Sequence, residues 1–597
     1  LEIFMRTLDF ETNAIGVGKD LFPKPVGLAI RYENGKSEYL AWGHPSDNNC
    51  TEEEAKRVWL DSVTNYAVCF HNAKFDLGVA ARHWGMKVPA WHRFHDTMFL
   101  VYLADNLAES YGLKQSAERY LNMPPEEQDE LTVLAREMGL IAWNSTKSGA
   151  VISQLPAGLV GEYAIGDVER TFKLFEHLHP EWQGAAYDRE RQLMPILLKR
   201  ELNGINCATT SLESDVSKYN TLRAQAKERV YLKLGDSSIN INSGPELYKG
   251  LVANGLFDET KAVHTPTGKV STAKANLADA VKDKEIITDL NLISTLDTYV
   301  DTFMTPWLLE AQANGGRVFP SFNQVRQMAE GGASKGTKTG RLSAPRFLNT
   351  PKNPEAGLPN VRGYIIPEEG HVWLKRDYSA QEYRVLGHYI GGKFAQVFID
   401  DPLADVHQQI ANWLGITRKY AKTIGFGLLY GLGMPALAEA LGVNSVKAKE
   451  LYQAYLNLMP ELDTVKEQLK ARYKSNLPIT TIGGRKIKAD PPSYSKKFNR
   501  HMEYHYKLLN YLIQGGSSDV TKQAIINLDD LVMQRYDEAD VLFNITVHDE
   551  LNLSVAEPLA AEIMPLIADA MHAVEIDCPF SSDGSIGTSW GTMKAYV

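Results

Sequence analysis

The chain has 597 residues, 44% hydrophobic and 23% charged, ordinary globular proportions that exclude a disordered, collagenous or coiled-coil protein and imply three or four compact units. Cys50, Cys69, Cys207 and Cys578 lie far apart with no Cys-x-x-Cys pair, which excludes a disulfide scaffold and a cysteine-built zinc site and points to a reducing compartment. The net charge of -10 is uneven: residues 1–190 carry 28 Asp+Glu against 18 Lys+Arg, whereas residues 191–597 carry 45 of each, so the acidic sum does not exclude a nucleic-acid partner for the larger part.

No apolar run reaches the length of a bilayer crossing and no basic-then-apolar leader opens the chain, so a cytoplasmic protein without a membrane partner is expected. Ile3 to Phe10 reads as a strand, Glu52 to Tyr66 as a helix, and Tyr66 to Phe70 as a second strand entering the loop His71 to Lys74. A helix over Leu159 to Leu178 carries Leu159, Tyr163, Val168, Phe172 and Phe175 at helical spacing. Together these predict an α/β domain over residues 1–185. Residues 186–330 are mainly helical with polar turns and read as an elongated unit. Ala329 to Pro359, rich in Gly, Ser, Lys and Pro, reads as an ordered loop over a ligand, and residues 331–366 carry six cations against Glu355 alone. Val372 to Leu374 and Phe543 to Val547 read as buried strands ending in acids, with long helices between them, an α+β pattern.

The chemistry concentrates in two constellations. Asp9 and Glu11 alternate on a strand and project from one face; Asp76 follows the Asn72-Ala73-Lys74-Phe75 loop; Tyr163 and Asp167 are four apart on one helix face. Four carboxylates and a phenol of this kind suit two-metal phosphodiester hydrolysis, with Tyr163 orienting the water. In the second constellation Asp377 and Asp549 each follow a short apolar strand, and neighbouring strands would let them share two Mg²⁺ ions. Between them Arg418, Lys422, Phe426 and Tyr430 recur every four residues, a helical stripe of two cations and two aromatics that suits a polyphosphate joined to a flat base.

In their order, Asp9-x-Glu11, Asn72-x-x-Phe75-Asp76 and Tyr163-x-x-x-Asp167 resemble the three motifs of DEDD-type 3′ to 5′ proofreading exonucleases, in the subclass with tyrosine. Asp377-Tyr378-Ser379-Ala380-Gln381-Glu382, then Arg418-x-x-x-Lys422-x-x-x-Phe426-Gly427-x-x-Tyr430-Gly431, then Val547-His548-Asp549-Glu550, resemble motifs A, B and C of family A DNA polymerases. The resemblance implies an RNase H-like exonuclease domain (1–185) followed by a right-hand polymerase: thumb 186–330, palm 331–405 and 501–597, fingers 406–500. It implies template-directed DNA synthesis from dNTPs with proofreading, primer-template DNA as partner, and two Mg²⁺ per site for which Mn²⁺ can substitute.

Carried onto matching positions, the resemblance assigns metals to Asp9, Glu11, Asp76 and Asp167 in one site and to Asp377, Asp549 and the Tyr378 carbonyl in the other. Arg418 and Lys422 would hold the triphosphate, Phe426 and Tyr430 stack near the base, Glu382 gate the sugar C2′, and His548, Asn510, Gln514, Arg341 and Arg362 contact DNA. Phe426 in place of tyrosine implies discrimination against dideoxynucleotides. Ala380, Gln381, Tyr383 and Tyr506 depart from the family pattern. A monomer of the compact phage or viral kind is expected, in the host cytoplasm, with no 5′ nuclease domain ahead of Asp9 and no clamp-like partner bound in the thumb.

Overall fold

The computed structural model describes residues 5–124, 126–145, 148–265, 268–328, 334–335, 337–352, 357–495 and 499–596. Part of the expected loop at 329–359 therefore lies outside the described residues.

The N-terminal domain is built on strands β1 (Met5–Thr12), β2 (Pro25–Arg31) and β3 (Ser37–Ala41), followed by α1 (Glu52–Asn65), β4 (Ala67–Phe70), α2 (Ala73–Trp84) and β5 (Phe94–Asp96). The sheet order is β3-β2-β1-β4-β5, with β4 and β5 parallel to β1 and the other pairs antiparallel. Thr51 and Glu54 form a reciprocal cap that starts α1, satisfying two of the amides every helix start leaves open. Period-two alternation then divides β1. Leu8 and Phe10 join the core under α1 and α2, where the Phe10 ring stacks on Trp59 at 4.7 Å. Asp9 and Glu11 face the opposite side. That side is covered by α4 (Ala157–Trp182), reached after α3 (Leu113–Leu121), and its core holds Ala29, Tyr39, Ala41, Val160, Ala164 and Val168. Leu159, expected on the apolar face of this helix, is exposed.

Helix α5 (Ala185–Asn203) leads out of this domain into α6 (Thr209–Leu234) and α7 (Lys284–Leu296), which pack against each other around Val230, Leu234, Ile286 and Ile293. The C-terminal part contains β6 (His371–Tyr378), α8 (Gln381–Ile390), α9 (Arg418–Tyr430), α10 (Lys507–Leu528), β7 (Val541–Val547), β8 (Glu550–Ala556), α11 (Ala560–His572), β9 (Ser582–Gly587) and β10 (Met593–Ala595). Its antiparallel sheet runs β7-β8-β6-β9-β10. The two acid-bearing strands β6 and β7 are therefore not neighbours, adjacency being the condition under which the sequence would let their acids meet directly; β8 lies between them.

The halves are fastened through α5. Glu190, fully buried, accepts from Lys522 at 2.5 Å and from Gln324 at 2.8 Å, and Arg189 donates to Gly483 O. Asn106 makes two reciprocal hydrogen bonds with the backbone of Lys488, at 3.1 and 2.9 Å, as a strand partner would.

Candidate active sites

In the N-terminal domain, one carboxylate oxygen from each of Asp9, Glu11 and Asp167 can be chosen so that all lie within 4.8 Å of one another. Asp76 stands beside them but is anchored: its Oδ1 accepts from the Phe10 amide at 2.8 Å, tying α2 to β1. The start of α2 is itself built around a carboxylate. Asn72 takes a left-handed φ of 73°, and Asp96 accepts from the amides of Asn72 and Ala73 at 3.0 and 2.8 Å. Burial, the first cause, and neighbouring acids push Asp9 up to about 8 and hold Glu11 and Asp76 well above the usual carboxylate range. A buried cluster of hard oxygen donors that repel one another in this way fits divalent cations, which relieve the repulsion and complete the lone pairs.

Tyr163 lies one turn before Asp167 on α4, its phenol pushed up by burial and then by Asp167. Two buried cations adjoin this cluster that the sequence did not single out: Arg170, whose Nη1 lies 3.6 Å from Asp167 Oδ1, and Lys114. Lys114 places Nζ 2.8 Å from Asp167 Oδ2 and 3.6 Å from the centroid of the Tyr163 ring. No motif marks it, because a lysine on a short helix ordinarily reads as a solvated charge.

In the second sheet, Asp377 near the end of β6 is in register with Glu550 on β8 and with Asp583 on β9. Val547 pairs with Glu550, so β7 and β8 are joined by the two-residue turn His548-Asp549, in which His548 has φ 60°, a conformation more often given to glycine at the first position of such hairpins. This turn, not adjacency of strands, brings Asp549 back over β6, where its carbonyl accepts from the Tyr378 amide at 3.2 Å. Asp549 is pushed up to about 8 by burial and then by Asp377, and Asp377 is raised by burial and then by Glu550. Lys352 Nζ lies 3.6 Å from Asp377 and 3.9 Å from Glu550. These acids again repel one another, a repulsion that a divalent ion would relieve.

A cleft of about 890 Å³ opens at Asp549, lined also by Arg341, Glu382, Arg418, Lys422, Phe426, Tyr430 and His548. Helix α9 supplies four of these. It starts on a Thr417 cap and ends at Gly431 in the left-handed region, and its Phe426 and Tyr430 rings stack 5.9 Å apart. Glu382 accepts from Arg341 and, at 2.9 Å, from the Tyr430 hydroxyl. Arg418 Nε donates to Asp405 at 2.7 Å. His407, not singled out from the sequence, lines the same cleft and is pushed down to about 4 by burial; its signal was its place two residues after the helix-capping Asp405. Asn510 donates to Leu429 O at 2.8 Å and Gln514 accepts from Thr339 at 3.4 Å, so both sit at the back of α9 and the 339–341 loop.

Arg362, also expected to contact DNA, is buried. It is 6% exposed, its Nη1 is directed at Glu550, its Nε and Nη2 donate to Thr350 O, and its guanidinium lies 4.2 Å from the centroid of the Trp590 ring. Its burial and these bonds engage the donors that a phosphate contact would need.

Residues 209–592 match the family described as DNA polymerase family A, and residues 9–183 match a 3′-5′ exonuclease family. The chain belongs to DNA polymerase family A. It is 26% identical to DNA polymerase I of Rhizobium leguminosarum over 95% of this chain and 56% of that protein. It is 24% identical to DNA polymerase DpoZ of Vibrio phage phiVC8 over 96% of this chain and 94% of that protein. The chain spans 56% to 63% of the length of three bacterial DNA polymerase I relatives. Among solved structures, the POL domain of Pol1 from M. smegmatis, in complex with DNA primer-template and dNTP, superposes with a TM-score of 0.75 at 22% identity, covering 98% of this chain and 95% of that one. The fold is thus an exonuclease domain followed by a family A polymerase domain, and both kinds of domain use divalent metal ions. Among the described residues no helix is long and apolar enough to cross a membrane.

Proposed function

We propose that this chain extends a DNA primer on a template, transferring nucleotidyl groups from dNTPs to the primer 3′ end, and that its N-terminal domain removes mispaired 3′ nucleotides. The observation that supports this reading best is the convergence of two remote segments: the Asp549 carbonyl accepts from the amide of Tyr378, the residue after Asp377, and His548 and Asp549 line the same cleft as Arg418 and Lys422 of α9. Phosphoryl transfer asks for charge neutralisation and in-line positioning rather than covalent chemistry, and this arrangement offers both.

In this reading Asp377, Asp549 and the Tyr378 carbonyl hold two Mg²⁺ ions, for which Mn²⁺ can substitute, and Asp9, Glu11, Asp76 and Asp167 hold the other pair. Bound there, the ions supply Lewis-acid activation of an attacking oxygen and stabilisation of the leaving one. The chain's own groups do the rest. Arg418 and Lys422 neutralise the triphosphate, with Arg418 released from Asp405. Phe426 and Tyr430 stack against the base, Phe426 disfavouring dideoxynucleotides. Glu382 closes off the sugar 2′ position, held there by Arg341 and Tyr430. His548, Asn510, Gln514 and Arg341 meet primer and template from the minor-groove side, sensing pairing geometry without reading sequence. In the exonuclease domain Tyr163 orients the attacking water. The thumb is assigned to residues 186–330, the palm to 331–405 and 501–597, and the fingers to 406–500. The protein acts as a monomer in the cytoplasm, the host's if its source is viral.

Primer extension and primer degradation by the same preparation test the reading. Asp377→Ala and Asp549→Ala each lower dNTP incorporation by about 10³-fold or more while degradation persists. Asp9→Ala does the reverse. Retained synthesis in the first two variants would remove the polymerase assignment.

A further inference from the structure

Lys114 stands in the first turn of α3, two residues after its Gly112 cap, and is 8% exposed. Both features count against a lysine. The open amides of a helix start carry partial positive charge, and burial strips the ammonium of water. An apolar or acidic residue would stabilise that turn better. What offsets the cost is the acid cluster: Asp167 Oδ2 at 2.8 Å, the face of the Tyr163 ring at 3.6 Å, and the nearby Asp9 and Glu11, whose charged forms Lys114 favours. The turn that carries it is held from behind. His71 donates from Nε2 to Tyr111 O at 2.9 Å and contacts Thr97 Oγ1 through Nδ1 at 2.8 Å, and its burial holds the imidazole neutral, down to about 4.

Charge accounting gives this lysine a task. Four carboxylates balance two divalent ions. Arg170 is engaged by Asp167 Oδ1 at 3.6 Å and by Pro124 O at 2.9 Å. The charge of Lys114, by contrast, also reaches Asp9 and Glu11, so it is placed to meet the negative charge a phosphodiester gains on its non-bridging oxygens as water attacks. We propose that Lys114 is a catalytic residue of the exonuclease site, its ammonium contacting the non-bridging oxygens of the terminal phosphodiester; this rests on the nuclease reading above. In the step, the water oxygen forms a new bond to phosphorus and the bond from phosphorus to the 3′ oxygen breaks with its electron pair. That oxygen takes up a proton equivalent to the one the water releases to solvent. The products are a nucleoside 5′-monophosphate and a strand one residue shorter. Lys114 neither gives nor takes a proton; it fixes the phosphoryl group and offsets its charge.

The test compares wild type, Lys114→Ala and Lys114→Arg, all in an Asp377→Ala, Asp549→Ala background so that the exonuclease site dominates metal binding. Thermal melts establish that each folds. Removal of 3′ nucleotides from a single-stranded oligonucleotide is measured with Mg²⁺, and Mn²⁺ binding to the DNA-free protein is measured by calorimetry. Lys114→Ala is expected to lower kcat about 100-fold with KM within about threefold, and Lys114→Arg to recover about tenfold of that. Mn²⁺ binding in Lys114→Ala is unchanged or tighter, because a competing cation has gone. Cleavage by Lys114→Ala within about threefold of wild type overturns the proposal, as does loss of Mn²⁺ binding together with cleavage, which would make Lys114 a counter-ion of the acids only. A wild type that binds Mn²⁺ yet leaves the strand intact overturns the nuclease reading itself, and this proposal with it.

Discussion

Asp9 and Asp549 occupy equivalent physical situations in unrelated domains. Each is a desolvated carboxylate beside another acid, pushed up to about 8. In the unfolded chain such groups ionise near 4. Between these two values the unfolded state has released protons that the folded state retains, so the metal-free protein loses stability as pH rises from about 4 to about 8. Divalent ions bind the ionised form and restore it. Melting in EDTA at pH 5.5 and pH 8 checks this: the higher pH gives the lower Tm, and Mg²⁺ raises Tm much more at pH 8 than at pH 5.5. The candidate acids themselves were legible in the sequence because strand alternation and helical spacing put each pair on one face. Lys114 and Arg362 were not, because a cation's meaning depends on whether water or a carboxylate surrounds it, and nothing local in the chain states which.

Helix α9 shows how one element answers two demands. Its outward stripe carries Arg418, Lys422, Phe426 and Tyr430, while its inner face is packed so closely that Gly425 lies against the hydroxyls of Tyr383 and Tyr455. A glycine in a helix interior costs about 1 kcal/mol relative to alanine, so propensity alone favours Gly425→Ala. The added methyl would overlap both hydroxyls, and overpacking of a buried site costs about 1–3 kcal/mol. The clash should win. Gly425→Ala is expected to lower Tm, and Tyr383→Phe in that background to recover part of the loss by removing one hydroxyl; thermal unfolding of the single and double variants decides. The close approach of both hydroxyls makes Gly425, Tyr383 and Tyr455 one packing unit. The periodicity of α9 was readable from its residues, whereas this back-face fit was not, since Tyr383 comes from α8 and Tyr455 from a later helix.

Over the whole molecule, α5 ties the two domains together: its Tyr187, Met194 and Leu198 belong to the N-terminal core, while its Glu190 meets Lys522 of α10. Glu190 and Lys522 are 1% exposed, and beside them Arg485 and Asp519 form a second buried pair at 2.6 Å. Burial, its first cause, pushes Lys522 down to about 8 despite Glu190. Removing one partner leaves the other desolvated and unpaired, a loss of about 3–5 kcal/mol. Glu190→Ala is therefore expected to lower the unfolding free energy obtained from urea titration by that amount. It should also separate the unfolding of the exonuclease domain from that of the polymerase domain, followed by probes in each.

From the chain alone came the division into an α/β and an α+β pattern, the acid pair Asp9-Glu11 and the α9 stripe, because each is written in local spacing that strand and helix geometry convert directly into a shared face, whereas Asp377 and Asp549 were each marked only as an acid ending an apolar strand. Only the tertiary structure decided that β8 separates the acid strands and that the His548-Asp549 turn closes the gap. It alone turned Arg362 inward and placed Lys114 among the exonuclease acids. Those outcomes depend on which distant segments exclude water from one another, and that is a property of the packed chain that no window of residues carries.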